Sequence, residues 1–385
     1  MDVRIVPSVS PNDPLPSGVD VINTLPDEVL LKIFGYLDSE DIVWNISKVS
    51  QRFETLSKDS TLLRKIVFKQ KDLVDKSMVD ALKRSKNLIE FHFDITGIPC
   101  ESYLHNLLVI AMNQCPKLKV IDIIGGCLGG RIYDRTLLYI IEHGKNIETL
   151  TVDGLDIIKQ ISIYPETFGK LKNLCKLCFF PVNENDDHHD IFKALTNSCE
   201  NLEELTLYPH TEVKECVLKL LDKSKCTLKY FKLYYNHFNP AFISETDIQK
   251  FHDMLGKCKN MESLNINGDF LDLPEDIATF ISAIATLKNL TCLEIRGGVV
   301  DNESPSIVEI FNSGYLKNLK EFRFGCCDQT GESAKYGVIE IIKAINKGCP
   351  NLEVLNLLNF IPIEFDNGRV VYCSICRTYH LKDQP

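Results

Sequence analysis

From residue 88 onward, apolar residues return at positions 1, 4 and 6 of one short phrase. They are Leu88, Phe91 and Phe93 in the first copy and Leu352, Leu355 and Leu357 in the last. Ten copies begin at Leu88, Leu118, Ile147, Leu174, Leu202, Leu228, Met261, Leu290, Leu319 and Leu352, spaced 26 to 33 residues apart. Positions 4 and 6 alternate with intervening residues as in a short strand whose inner face is buried. Between the phrases, "LHNLLVIAMNQC", "IFKALTNSC", "VLKLLDKSKC" and "VIEIIKAINKGC" repeat their apolar residues at helical spacing. Each unit is therefore a strand, a turn and a helix. One unit cannot bury its own apolar face, so the units must stack. The predicted fold is an α/β solenoid, with parallel strands on the concave side and helices on the convex side.

Asn precedes position 1 in eight of the ten copies, at Asn87, Asn146, Asn173, Asn201, Asn260, Asn289, Asn318 and Asn351. Asn tolerates left-handed backbone, which suits a helix-to-strand turn. Gly144, Gly256 and Gly348 lie where helices should end. The L-x-x-L-x-L core resembles the leucine-rich repeat, and "CPKL" and "CPNL" resemble its cysteine-containing type, implying a horseshoe. The family's usual Asn or Cys at position 9 occurs at Asn236 and Cys327 but not in most copies, so irregular turns are expected. After the last copy, "IPIEFDNGRVVYCSI" reads as two strands around Asp366-Asn367-Gly368. Such a hairpin could cover the solenoid's open edge.

Near the N-terminus, "LPDEVLLKIFGYLD" spans residues 25–38, and its stripe of Leu25, Val29, Leu30, Ile33, Phe34 and Leu37 is wider than a surface helix needs. Breaks at Asp38-Ser39 and near Ser50 divide the stretch up to residue 68 into short helical segments. Residues 24–68 resemble the F-box through Leu25, Pro26, Glu28, Val29, Leu30, Ile33, Phe34, Leu37, Asp41, Ile42, Val49, Arg52 and Phe53. Ser50 and Phe53 replace the family's usual Cys and Trp. The resemblance implies a non-catalytic substrate receptor of a ubiquitin ligase. A Skp-type adaptor would be held by Leu25, Pro26, Val29, Leu30, Ile33, Phe34 and Leu37, with a cullin beyond it. The alternative is a repeat scaffold acting outside the ligase.

The expected division is a disordered leader (1–21), an F-box (22–68), leucine-rich repeats (69–360) and a C-terminal cap or tail (361–385). Positions 3, 5 and 7 of each phrase face away from the buried side. They nominate Phe180, Tyr208, Tyr230, Lys232, Tyr234, Arg296 and Arg323 for target binding, because aromatic and basic side chains dominate binding hot spots. The competing expectation is that these aromatics pack on one another along the sheet.

Across 385 residues the formal net charge is −10, which argues against general nucleic-acid or anionic-membrane binding. No apolar run reaches the ~18 residues that suggest a membrane span. Fifteen cysteines, often among apolar neighbours, read as reduced core thiols of a cytoplasmic or nuclear protein. Cys373, Cys376 and His380 are too few for the usual four zinc ligands. Asp186, Asp187, His188, His189 and Asp190 read as a solvated loop, with Asp190 capping the next helix. "GGCLGG" lacks the Lys-Ser/Thr of a phosphate loop. No cofactor and no catalytic residue is expected.

Overall fold

The computed structural model describes residues 21–69, 76–94, 101–125, 130–158, 171–181, 189–207, 214–234, 245–267, 274–296, 306–325, 332–358, 370–373 and 378–381. Three short helices open it: α1 (Val21–Thr24), α2 (Asp27–Phe34) and α3 (Gln51–Ser57). Pro26 stands at the N-cap of α2, and Asp27 and Glu28 place negative charge in its first turn, where the helix dipole favours it. Ser50 caps α3, its Oγ accepting from Phe53 N at 3.1 Å. Arg52 clasps the bundle: its guanidinium donates to Asn23 O and Leu25 O, both at 2.6 Å, and to Asp27 Oδ1.

The strands are β1 (Lys65–Phe68), β2 (Glu90–Asp94), β3 (Val120–Ile124), β4 (Gly130–Tyr133), β5 (Thr149–Ile158), β6 (Lys176–Pro181) and β7 (Glu204–Leu207). They continue as β8 (Tyr230–Leu233), β9 (Ser263–Asn267), β10 (Cys292–Arg296), β11 (Glu321–Gly325) and β12 (Val354–Leu358). All but β4 form one parallel ladder in chain order, and β4 pairs with the far end of β5. The convex helices are α4 (Lys76–Arg84), α5 (Glu101–Gln114), α6 (Asp134–His143), α7 (His189–Ser198), α8 (Lys214–Ser224), α9 (Glu245–Leu255), α10 (Pro274–Ile284), α11 (Ser306–Asn312) and α12 (Glu332–Gly348).

The core follows the sequence pattern. From Leu88 through Leu355, every residue at positions 1, 4 and 6 is at most 4% exposed. The bundle does not stand apart from this ladder. Its β1 is the ladder's first strand, pairing Ile66 with Phe91 and Phe68 with Phe93. Phe68 packs 5.6 Å from Phe91 and 6.0 Å from Phe93, centroid to centroid. The first repeat is thus capped by the N-terminal unit, and the boundary expected at residue 68 is a continuous sheet.

The recurrent asparagines have a task other than the expected backbone one. Each Nδ2 donates to a carbonyl one unit back, as from Asn173 to Lys145 O (2.9 Å), Asn260 to Cys226 O (2.7 Å), Asn318 to Lys288 O (3.0 Å) and Asn351 to Lys317 O (2.8 Å). Where Thr227 replaces Asn, its hydroxyl donates to Leu202 O at 2.7 Å. The helix-end glycines serve close packing. A Cβ on Gly348 would lie 2.0 Å from Phe311 O, and one on Gly144 2.4 Å from Ile140 O. Gly144 itself has φ −81°, outside the left-handed region. Gly154 does have positive φ (66°), where the β5–β6 register shifts between Asp153 and Leu155.

Beyond β12 lie β13 (Val370–Cys373) and β14 (Thr378–Leu381), an antiparallel pair. β14 runs antiparallel to β12, so a hairpin does cover the last strand's edge. The turn expected at Asp366, Asn367 and Gly368 lies outside the described residues, as do Asn236, Cys327 and residues 1–20. α7 begins at His189, so Asp190 falls inside the helix rather than at its cap.

Candidate functional site

On the concave face, side chains at the same phrase position align across strands. Position 5 runs Lys232, Asn265, Glu294, Arg323 and Asn356 over β8 to β12, each opposite the next. The first four of these line a groove of about 440 Å³. Glu294, only 5% exposed, accepts from Arg296 Nε on its own strand and lies 3.9 Å from the Arg323 guanidinium on the next. Arg323 Nε also donates to Glu321 Oε1 at 2.7 Å. The buried carboxylate therefore fixes two arginines whose side chains remain partly exposed.

Tyr234, just beyond β8, gathers the cations. Lys232 Nζ lies 4.9 Å and the Arg296 guanidinium 5.5 Å from its ring centroid. Phe180 meets the same ring edge-on at 5.8 Å. The structure thus brings together Phe180, Lys232, Tyr234 and Arg296. Tyr230 instead donates its hydroxyl to Glu262 Oε2 at 3.0 Å, which raises its pKa. Tyr208 lies outside the described residues. The competing expectation of aromatics packing on one another describes the Phe180–Tyr234 contact.

Toward β2 the same face turns acidic. His92 Nδ1 lies 2.9 Å from Asp122 Oδ2 and its Nε2 3.1 Å from Glu90 Oε2. The hydrogen bond with Asp122 is the main cause of its raised pKa. Burial, with Asp122 adding, raises that of Asp153. Burial above all pushes the Cys178 thiol up to about 12, so it is a protonated thiol and a poor nucleophile near neutral pH.

A second surface lies on α2. Leu30 and Phe34 point into the bundle, 1% and 2% exposed, with Phe53 edge-on to Phe34 at 5.1 Å. The sequence pattern places both in the adaptor contact; their burial removes them from it. Val29 (40% exposed), Ile33 (41%) and Leu37 face outward, and Ile22, Tyr36 and Val49 are exposed as well. Pro26 is exposed and Leu25 half-buried. The wide stripe therefore has two faces, one for the core and one left uncovered. Residues 22–69 match the family model described as F-box-like.

They form an F-box-like domain.

No curated protein sequence matches the chain. Among solved structures, the Rad7–Elc1 complex of yeast is similar at 19% identity, covering 86% of this chain and 81% of that one, with a TM-score of 0.42. The leiomodin-1 actin-binding site 2 is similar at 14% identity over 42% of this chain and 92% of that one, with a TM-score of 0.28. The TLR13–ssRNA13 complex is similar at 15% identity over 72% of this chain and 44% of that one, with a TM-score of 0.29. These overlaps are loose, and the solenoid rests on its own ladder.

Sequence reasoning missed Asn265 and the pairing role of Glu294. The position-5 rule would have found Asn265, since "NMESLNI" carries it in the expected place. It also missed that Arg52 clasps the F-box-like domain, because a clasp onto backbone carbonyls leaves no side-chain pattern. Of the possible zinc ligands, Cys373 and His380 sit on β13 and β14, and Cys376 lies outside the described residues. Among the described residues no cluster of metal-ligating side chains occurs.

Proposed function

We propose that this chain is the substrate-recognition subunit of a Skp–cullin–F-box ubiquitin ligase. The F-box-like domain holds a Skp-type adaptor and, through it, a cullin, while the concave face holds a target protein. The observation carrying this reading is the F-box-like domain itself, with an uncovered apolar face on α2 and the strand ladder built onto β1. The mechanism is proximity: target and transferring enzyme share one assembly, and the raised effective concentration drives modification. The chain itself binds and positions, and supplies no catalytic group. Such work belongs in the cytoplasm or nucleus.

The test is co-purification of the full chain with adaptor and cullin, beside a Leu25→Ala/Pro26→Ala variant. Recovery of both partners with the native chain, sharply reduced for the double variant, is the expected result. Capture of the adaptor without any cullin would favour a scaffold acting outside the ligase. Undiminished adaptor binding by the double variant would overturn the assigned contact.

A further inference from the structure

The lining of the concave groove is acidic and short of donors. It carries Glu204, Glu262, Glu294 and Glu321 against Lys232 and Arg323, an excess of two negative charges. From the margins Lys176 reaches Glu204 at 2.6 Å and Arg296 reaches Glu294, while Arg323 is shared between Glu294 and Glu321. Glu262 is the carboxylate left over. It accepts from the Tyr230 hydroxyl at 3.0 Å and forms no ion pair among the described residues. Lys232 leans onto Tyr234, past the carboxyl end of β8, whereas Glu262 lies just before the amino end of β9.

The second observation is an unsatisfied acceptor. Asn265 is 6% exposed, lines the same groove, and its Oδ1 has no hydrogen-bond partner among the described residues. A buried amide oxygen without a donor is costly, so a ligand N–H that reaches it gains more than the same contact at an open surface. Tyr230 adds an aromatic surface: it is 43% exposed, and its hydroxyl bond to Glu262 fixes where the ring stands. It pairs with Ser263, two residues before Asn265 on the same face of β9, so the Tyr230 and Asn265 backbones lie roughly 8 Å apart.

We propose that the groove over β8–β11 takes an arginine side chain presented by the target protein. The guanidinium forks onto Glu262, lies against the Tyr230 ring and turns a remaining N–H to Asn265 Oδ1. Its planar fork of donors supplies all of these contacts, whereas an ammonium is a more strongly hydrated point charge. Carboxylates and phosphates are turned away by the same lining. This inference rests on the reading that the concave face holds the target.

The probe is a displayed library of random twelve-residue peptides, panned against the full chain. Arginine-bearing peptides should be enriched, and lysine-bearing ones less so. Glu262→Gln should weaken the best peptide about tenfold or more, as the loss of a charge-assisted hydrogen bond does. Asn265→Leu should weaken it about tenfold, the loss expected for one buried hydrogen bond. Glu353→Gln removes one negative charge from an exposed position outside the groove and should leave the affinity unchanged. Thermal melts confirm folding; if Asn265→Leu unfolds the chain, Glu262→Gln carries the test, because Glu262 lies outside the core. Absence of arginine enrichment, equal enrichment of lysine, indifference to Glu262→Gln, or an equal loss in Glu353→Gln would each overturn the inference. Adaptor capture is measured on the same preparations. Capture without arginine preference sinks this inference alone, whereas arginine preference without capture sinks the ligase reading alone.

Discussion

Replacing Val29 and Ile33 together by serine separates the docking face of α2 from its core face. Fully burying a Val or Ile side chain is worth roughly 1.5–3 kcal/mol. The fold already covers about three-fifths of each, since Val29 remains 40% and Ile33 41% exposed. The area left for a partner therefore carries about 0.6–1.2 kcal/mol per residue. Together they contribute about 1.2–2.4 kcal/mol, or roughly 8- to 60-fold in Kd. Domain stability should change little, because neither side chain is in the core. Phe34→Ala is the counterpart: buried against Phe53, it should lose about 3–5 kcal/mol of local stability. Calorimetric titration with a purified Skp-type adaptor, alongside hydrogen exchange over residues 25–57, reads both quantities. Native affinity in the Val29→Ser/Ile33→Ser variant, with exchange unchanged, would refute the assignment of this face.

His252 is fully buried between Phe251 and Phe280, and burial lowers its pKa to about 4. An unfolded histidine titrates near 6.5, so below that pH the unfolded chain binds the extra proton. Stability is full above about pH 6.5 and falls toward pH 4, by about 2 kcal/mol between pH 7.5 and 5. His252→Gln should remove that component, and equal pH dependence of α9–α10 exchange in both proteins would contradict it. Gly348→Ala should destabilise the chain by roughly 1–3 kcal/mol, because the added Cβ meets the Phe311 carbonyl at 2.0 Å. Gly35→Ala meets only ordinary 3.4 Å contacts, so similar melting losses for the two variants would argue against the close-approach account.

The ladder was legible because positions 1, 4 and 6 report burial, and burial is what stacking units require. The asparagines were legible as a pattern but not as a mechanism. Their partners are carbonyls of the preceding unit, about thirty residues back, and a backbone acceptor has no signature in sequence. Helix α2 shows the limit of periodicity: Leu30 and Phe34 share the apolar character of Val29 and Ile33, and only packing tells inward from outward. On the concave face, searching for aromatic and basic residues found Tyr234 and Arg296. It passed over Asn265, whose importance comes from burial. A C-terminal hairpin was legible because the last strand of a ladder leaves an open edge to cover.

The pairing of β1 with β2 makes the molecule a strut. A tether of flexible residues would let two bound bodies search a broad volume, with encounter set by tether length. Here β1 of the N-terminal unit and the groove at β8–β11 are joined by an unbroken run of backbone hydrogen bonds, beginning with Ile89 N to Arg64 O at 2.7 Å. Anything seated in the groove is held at one bearing, several strand spacings, or roughly 40 Å, along the ladder from β1. Orientation is thus decided before a cargo arrives. Whatever angular latitude the assembly needs must come from slack in the cargo's own chain or from joints in the bodies attached to α2.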